Sequence, residues 1–330
     1  MSRLPAPEAM SELRYRVLMA SAVAVLAVVL FGRLPGRSLW LTEVANFAHG
    51  PAFAVVTLAA LAWLRHAPAA RHSVFAQYAF ASVIALALGV AVELVQMRIG
   101  RDAEVRDVWR DALGVLTAFG VCALVDPELR RSARHRGARP VLIACGAIAA
   151  ALLAWPLVQS GVAYRERSRA FPVIADFSGW SGRYFLAGFG DVFYERARLP
   201  SAMSGRAPGA VGLRVVTGPS KWWGLFLREP HPDWRGHDRI AFSIANPTDA
   251  PLVLQLRIHD TVPGHRSRDG FVGTIEVAPG VLRAVAVPLA ELKHEDGVSR
   301  LDTGRIHSLI LARSRANRAP EFYLTRVWLE

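Results

Sequence analysis

Residues 74–97 read VFAQYAFASVIALALGVAVELVQM, an apolar run that carries Glu93 and Gln96 near its end. The run is longer than the roughly 20 residues that a helix needs to cross a bilayer. A charged side chain in such a segment costs roughly 2.5–3.5 kcal/mol on insertion scales, so it marks a candidate functional position. Glu93 and Gln96 are three residues apart and therefore share one face of the predicted helix.

Four further apolar segments approach the same length, and they span residues 15–32, 47–64, 111–125 and 141–159. We therefore predict a transmembrane domain of about five helices over residues 15–160, preceded by a cytoplasmic tail at residues 1–14. Small residues such as Gly114 and Ala118 predict that these helices pack closely.

The composition changes after residue 160. We predict a linker at residues 161–170 and an all-β, jelly-roll-like sandwich at residues 171–330, because short alternating segments are separated by turn signals. Residues 252–259 alternate most clearly, with Leu252, Leu254, Leu256 and Ile258 on one face and Val253, Gln255, Arg257 and His259 on the other. The fold class is thus a multi-domain chain, with a helical bundle followed by a β-sandwich.

The net charge of +12 comes almost entirely from arginine, since Lys221 and Lys293 are the only lysines. Many arginines flank apolar runs, so we interpret the charge as membrane flanking and predict no nucleic-acid partner. Cys122 and Cys145 both fall in apolar runs, which excludes a disulfide framework or a CxxC redox pair. We predict no cofactor.

Arginine placement favours a cytoplasmic N-terminus in the inner membrane. Five crossings from that start make the sandwich extracytoplasmic, and the reversed orientation is the alternative. The inner segments then hold ten arginines, at positions 3, 14, 16, 65, 71, 130, 131, 134, 136 and 139, and the outer loops hold six, at positions 33, 37, 98, 101, 106 and 110.

This topology brings the start of the second segment, the end of the third and the start of the fourth to the outer membrane face. Six polar residues lie at these ends and form the predicted membrane pocket: His49, Glu93, Gln96, Arg101, Asp107 and Asp111. Their order, His…Glu-x-x-Gln…Arg…Asp, resembles the VanZ-like membrane proteins over about residues 15–125. The family usually has Asn where Asp111 stands. The resemblance implies a cell-envelope role and an association with low-level resistance to glycopeptide antibiotics such as teicoplanin.

Three interpretations of these residues stay open. They form an ion-pair network that locks the bundle, or a pocket for the headgroup of a lipid or lipid-linked glycan, with Arg101 on phosphate. In the third, Glu93 or Asp107 is a general base and His49 its acid or base partner, with or without a divalent metal. No HExxH or DxxD pattern supports a metal, so we assign no metal ligands and no catalytic residues.

The second half is rich in tryptophan and resembles galactose-binding-type jelly rolls, as found in carbohydrate-binding modules. The resemblance implies glycan contacts, and the candidate residues are Trp222, Trp223, Trp234, Arg257 and His259. Each tryptophan has a core position as its alternative. Asp260 and Asp269 cap turns or hold a structural Ca²⁺.

We therefore expect an integral membrane protein that binds or protects an envelope lipid or glycan. Its partners would be membrane lipids and a lipid-linked glycan or cell-wall carbohydrate. The alternatives are a membrane enzyme acting on a lipid-linked sugar or phosphate, and a non-catalytic envelope scaffold.

Overall fold

Long helices make up the first half of the chain and antiparallel strands the second, in a computed structural model of the protein. The structure describes residues 12–32, 38–66, 73–99, 105–131, 137–203, 209–218, 223–260, 270–294 and 296–330. The chain divides into two compact units, Met1–Gly161 and Val162–Glu330. We call them the helical unit and the sandwich unit.

Six helices precede the first strand in the described residues. They are α1 (Glu12–Phe31), α2 (Leu39–His66), α3 (Val74–Arg98), α4 (Val105–Val125), α5 (Pro127–Arg131) and α6 (Ala138–Ala170). All except the short α5 are long and apolar enough to cross a membrane. The predicted class, about five apolar helices followed by a β-sandwich, is confirmed.

Helices α2, α4 and α6 extend by several residues beyond the apolar segments of the sequence. Helix α2 begins at Leu39 and α4 at Val105, so both include residues before the apolar segments, among them the charged residues Glu43 in α2 and Arg106 in α4. Helix α6 continues to Ala170, so the predicted linker at residues 161–170 is helical. This stretch has no proline, and its arginines and glutamate are strong helix formers.

The described residues of the sandwich unit form two antiparallel sheets. Its elements are β1 (Val173–Asp176), the short helix α7 (Ser181–Tyr184), β2 (Leu186–Gly190), β3 (Val192–Arg198), β4 (Val211–Thr217), β5 (Trp223–Arg228), β6 (Arg239–Asn246), β7 (Leu252–His259), β8 (Phe271–Val277), β9 (Val281–Pro288), β10 (Ser308–Arg313) and β11 (Glu321–Leu329). One sheet has the order β3-β4-β11-β6-β9, with β1 also paired to β11, and the other has the order β2-β5-β10-β7-β8. Most connections pass from one sheet to the other, as in jelly rolls.

Alternation decides which side chains enter the core between the sheets. In β7, Leu252, Leu254, Leu256 and Ile258 are buried, and the intervening Val253, Gln255 and Arg257 are only half-buried. The prediction for residues 252–258 is therefore confirmed. The core also receives leucines from β5 and β10, which face Leu324 and Val327 of β11. The five-stranded sheet consequently has one core face and one outer face.

Close contacts between glycines set the helix spacing in the helical unit. A Cβ atom on Gly114 of α4 would lie 2.4 Å from the carbonyl oxygen of Gly50 in α2. A Cβ atom on Gly146 of α6 would lie 2.6 Å from the Cα of Gly120 in α4. Only glycine permits these backbones to approach so closely, and Gly114 thus has the packing role that its sequence context predicts.

A buried carboxylate, Asp126, joins three helices beside the end of α4. Its Oδ2 accepts hydrogen bonds from Arg65 of α2 at 2.6 Å and from the hydroxyl of Tyr78 in α3 at 3.0 Å. Arg65 also donates to Gln77 of α3 at 3.0 Å. The side chain of Asp126 is 2% exposed and that of Arg65 is 33% exposed, so the carboxylate depends on this network for its solvation.

We expect the substitution Asp126→Ala to destabilise the protein by about 3 kcal/mol, because it leaves the charge of Arg65 partly buried without its carboxylate partner. This value is at the lower end of the range for breaking a buried ion pair, because the Arg65 side chain is partly exposed to solvent. The matched control is Glu12→Ala, which removes an exposed pair with Arg16 and should cost less than about 1 kcal/mol. Denaturant unfolding of the full-length protein in detergent measures both, and equal losses would contradict the expectation.

Candidate functional site

A polar cluster lies inside the helical unit, and three helices supply it. His49 comes from α2, Glu93 from α3, and Asp107 and Asp111 from α4. The His49 Nδ1 atom lies 3.1 Å from Asp111 Oδ1, and its Nε2 atom lies 3.9 Å from Asp107 Oδ2. Ligand atoms of His49, Glu93 and Asp107 all lie within 4.8 Å of one another. The structure therefore brings together four of the six residues predicted for the membrane pocket.

Burial makes this cluster unusual. Glu93 is 6% exposed and Asp111 is 1% exposed, although both are carboxylates among apolar helices. Transfer of a charged group away from water is costly unless it is paired or bound to a metal. The arrangement can therefore lock helices together, hold a cation, or place acid and base groups beside a ligand.

Gly89 provides the space for the Asp111 carboxylate. A Cβ atom on Gly89 would lie 2.6 Å from Asp111 Oδ2 and 3.3 Å from the ring of Phe53. Gly89 lies one helical turn before Glu93, so α3 presents a glycine and a carboxylate on the same face. The packing of α3 against α4 at this point fixes Asp111 next to His49.

Gln96, the fifth predicted residue, forms a hydrogen bond to a different helix. It is buried, and its Nε2 atom donates a hydrogen bond of 2.9 Å to the carbonyl of Val29 in α1. This bond joins α3 to α1, which is a helix-packing role. Arg101, the sixth predicted residue, lies outside the described residues.

Arg110 is a site residue that our sequence reasoning did not select. Its guanidinium donates a hydrogen bond to Asp107, one turn earlier on α4. The spacing of three residues between opposite charges was a signal that the sequence contained. Arg110 thus supplies a positive charge at the edge of the cluster.

Two of the tryptophans predicted to contact a glycan, Trp223 and Trp234, are buried in the structure. Trp223 is 1% exposed and its ring centroid is 6.2 Å from that of Phe322 in the core. Trp234 is fully buried and donates from Nε1 to the carbonyl of His231 at 2.6 Å. Neither ring is accessible to a ligand, because both fill core positions. Trp222 lies outside the described residues.

The outer face of the five-stranded sheet carries half-buried aromatic and polar side chains. Strand register aligns two neighbouring rows across all five strands. The first row is Ala187, Phe226, Ile310, Arg257 and Val272, and the second row is Phe189, Gly224, Ala312, Gln255 and Thr274. We call the five-stranded sheet sheet B, and these ten residues the sheet B face. The Phe189 ring covers Gly224, where a Cβ atom would lie 2.3 Å from the Phe189 Cζ.

The two polar candidates on β7 have different environments. Arg257 is half-buried within the sheet B face. His259 is 1% exposed, and its Nδ1 lies 3.0 Å from the hydroxyl oxygen of Ser308 on β10. Gly270 closes over both, because a Cβ atom there would lie 2.9 Å from His259 Nε2 and from Arg257 Cγ. Arg257 is therefore on a surface, whereas His259 is an interior hydrogen-bonding group.

Two acidic residues of the sandwich unit have local structural roles. Arg235 donates to both carboxylate oxygens of Asp233, at 2.9 and 2.6 Å. These bonds hold the pKa of Asp233 well below its usual range. Asp260 accepts a hydrogen bond of 2.9 Å from the backbone N–H of Asp302, which connects two loops. Asp269 lies outside the described residues.

The sandwich is similar to known carbohydrate-binding modules. A family 11 module from Clostridium thermocellum, in complex with a β-1,3-1,4-mixed-linked tetrasaccharide, has 19% identity and a TM-score of 0.37, covering 48% of this chain and 93% of that chain. The family 11 module of the cellulase Lic26A-Cel5E from the same organism has 18% identity and a TM-score of 0.36, over 48% and 92% of the two chains. An agarase, AgWH50C, has 14% identity and a TM-score of 0.36, over 48% and 26%.

No family model matches the chain, and no curated protein matches it. The VanZ-like resemblance of the helical unit therefore rests only on the order His…Glu-x-x-Gln…Arg…Asp in the sequence.

Substitution of core and surface aromatics should separate their roles in the sandwich unit. We expect Trp223→Ala to destabilise it by about 3–5 kcal/mol, because the change leaves a large cavity in the core. Phe226→Ala should cost about 1 kcal/mol, since the ring is half-buried. Urea unfolding of the full-length protein in detergent, followed by far-UV circular dichroism of the β-structure, measures the difference. A Phe226 variant as unstable as the Trp223 variant would show that Phe226 belongs to the core.

Proposed function

We propose that the protein is an integral membrane protein of the cell envelope whose sandwich unit binds a carbohydrate on the sheet B face. The observation that carries this proposal is the register of that face. Phe226 of β5 and Arg257 of β7 lie in one row, two strand spacings or about 10 Å apart. Phe189, Gln255 and Thr274 lie in the adjacent row.

Such a combination of side chains suits a sugar. An aromatic ring provides a flat apolar surface for the C–H groups of a pyranose, with little conformational freedom to lose. Arginine offers several donors, glutamine offers both donors and an acceptor, and threonine offers a hydroxyl. Ligand sites commonly join a mostly apolar surface to a few polar groups that fix orientation. Neutral and weakly anionic glycans are therefore the expected ligands.

The helical unit supports a related proposal. The buried cluster of His49, Glu93, Asp107 and Asp111, together with the VanZ-like pattern, supports binding or protection of an envelope lipid or lipid-linked glycan. The alternative is a membrane enzyme that acts on a lipid-linked sugar or phosphate. Turnover of such a substrate by the detergent-purified protein distinguishes the enzyme from the binder. Susceptibility of a deletion strain to teicoplanin is the phenotype by which to test the link with glycopeptide resistance.

We expect the full-length protein in detergent to bind isolated cell walls and a subset of glycans on an array. Phe226→Ala and Arg257→Ala should each weaken binding about tenfold, which corresponds to the loss of about 1.4 kcal/mol of contact energy. Phe193→Ala is the matched control, because Phe193 is 60% exposed on β3 of the other sheet. Absence of binding by the unmodified protein, or equal binding by all variants, would exclude the sheet B face.

We also propose that the membrane is the cytoplasmic membrane and that the sandwich unit is extracytoplasmic. In a variant with Cys122→Ala and Cys145→Ala, a cysteine at Val298, which is 85% exposed, should react with an impermeant maleimide in intact cells. A cysteine at Gly137, between α5 and α6, should react only after the cells are permeabilised. The opposite labelling pattern would establish the reversed orientation.

A further inference from the structure

We infer that His49, Glu93 and Asp107 bind a divalent cation, and that Asp111 orients His49 for it. This inference goes beyond the carbohydrate binding proposed for the sheet B face, and it adds a cation to the cluster that we propose to bind or protect an envelope lipid or glycan. Three helices provide one donor each, and the donor atoms lie within 4.8 Å of one another. Ligand atoms on one tetrahedral ion, bound at about 2.1 Å, lie roughly 3.4 Å apart. Small side-chain movements are therefore enough to close the site around an ion.

The second ring nitrogen of His49 provides independent support. Asp111 Oδ1 lies 3.1 Å from Nδ1, whereas Nε2 faces Asp107. An ionised carboxylate only accepts hydrogen bonds, so Asp111 favours the tautomer with its proton on Nδ1 and a lone pair on Nε2. Histidine ligands of metals are characteristically oriented in this way, by a carboxylate on the ring nitrogen that does not bind the metal.

Local packing holds this geometry in place. The contact between Gly50 and Gly114 lets α4 approach α2, which carries His49 one position before Gly50. Gly89 leaves room for the Asp111 carboxylate against α3. The side chains of His49, Glu93 and Asp107 therefore converge from three helices. Asp111 contacts the ring nitrogen of His49 that does not face Asp107.

The donor set indicates the class of ion. Imidazole suits Zn²⁺ and other transition metals, and carboxylates also suit Mn²⁺ and Mg²⁺. One nitrogen and two carboxylate donors therefore favour Zn²⁺ or Mn²⁺ over Mg²⁺. Three protein ligands also leave at least one position open, as catalytic rather than structural zinc sites do. A water molecule or an anionic oxygen of a ligand would complete the coordination.

Metal binding to the full-length protein in detergent tests the inference. After treatment with a chelator and its removal, the protein should take up one Zn²⁺ or Mn²⁺ ion per chain, measured by isothermal titration calorimetry and by elemental analysis. His49→Gln, Glu93→Gln and Asp107→Asn should each abolish stoichiometric uptake. Asp111→Asn should weaken affinity about 10–100-fold, because it removes the orienting charge and leaves the ligands in place.

Glu43→Gln is the matched control, because Glu43 is a half-buried acid on the same helix as His49 and contacts Asn46. It should bind the ion as the unmodified protein does. If a variant of His49, Glu93 or Asp107 does not fold, the test is instead a titration of the unmodified protein with Co²⁺. Visible d–d bands of a four- or five-coordinate site, altered in Asp111→Asn, would support the inference. Absence of uptake by the unmodified protein, or full uptake by well-folded His49 and Glu93 variants, would overturn it and leave an ion-pair lock.

Discussion

The close contact of Gly50 with Gly114 controls the chemistry of the helical unit. A side chain at Gly114 would collide with the Gly50 carbonyl, so glycine allows the α2 and α4 backbones to meet. His49 immediately precedes Gly50 in α2, and Asp111 lies about one turn before Gly114 in α4. The same contact therefore brings His49 Nδ1 to 3.1 Å from Asp111 Oδ1. Helices in lipid gain little from hydrophobic association, and close packing by small residues is the main alternative.

Two polar networks lie beside different ends of the same helices and differ in kind. Asp126 joins Arg65 and Tyr78 by short hydrogen bonds near the end of α4. The cluster near the start of α4 also has a cation, because Arg110 bonds to Asp107, but it collects three carboxylates around the imidazole of His49. In the Asp126 network, a cation and a hydroxyl bond to one carboxylate, and these bonds join helices α2 and α3 to the end of α4. The excess of acidic over cationic groups in the buried cluster around His49 is the reason why we propose a bound ion there.

Some of these features were predictable from local patterns. The apolar segments predicted the long helices, and alternation in residues 252–258 predicted the core face of β7. The first turns of α2 and α4 were not predicted, because charged residues such as Glu43 and Arg106 interrupt the apolar runs there. The sequence did not distinguish Trp223 from Phe226 as core and surface residues, since an aromatic side chain suits either place. Their positions in β5 decide which is which, because Trp223 faces the core and Phe226 faces the outer side of the sheet.

The sequence by itself determined the two classes of structure and the identity of the rare polar residues among apolar ones. These are properties of periodicity and composition, which act over a few neighbouring residues. Tertiary structure decided which of those residues meet. Gln96 bonds to α1, while Glu93, one turn away, faces His49 and Asp107. The reason is that such contacts join positions far apart in the chain, 62 residues for His49 and Asp111. Their geometry depends on how whole helices pack, which no local pattern specifies.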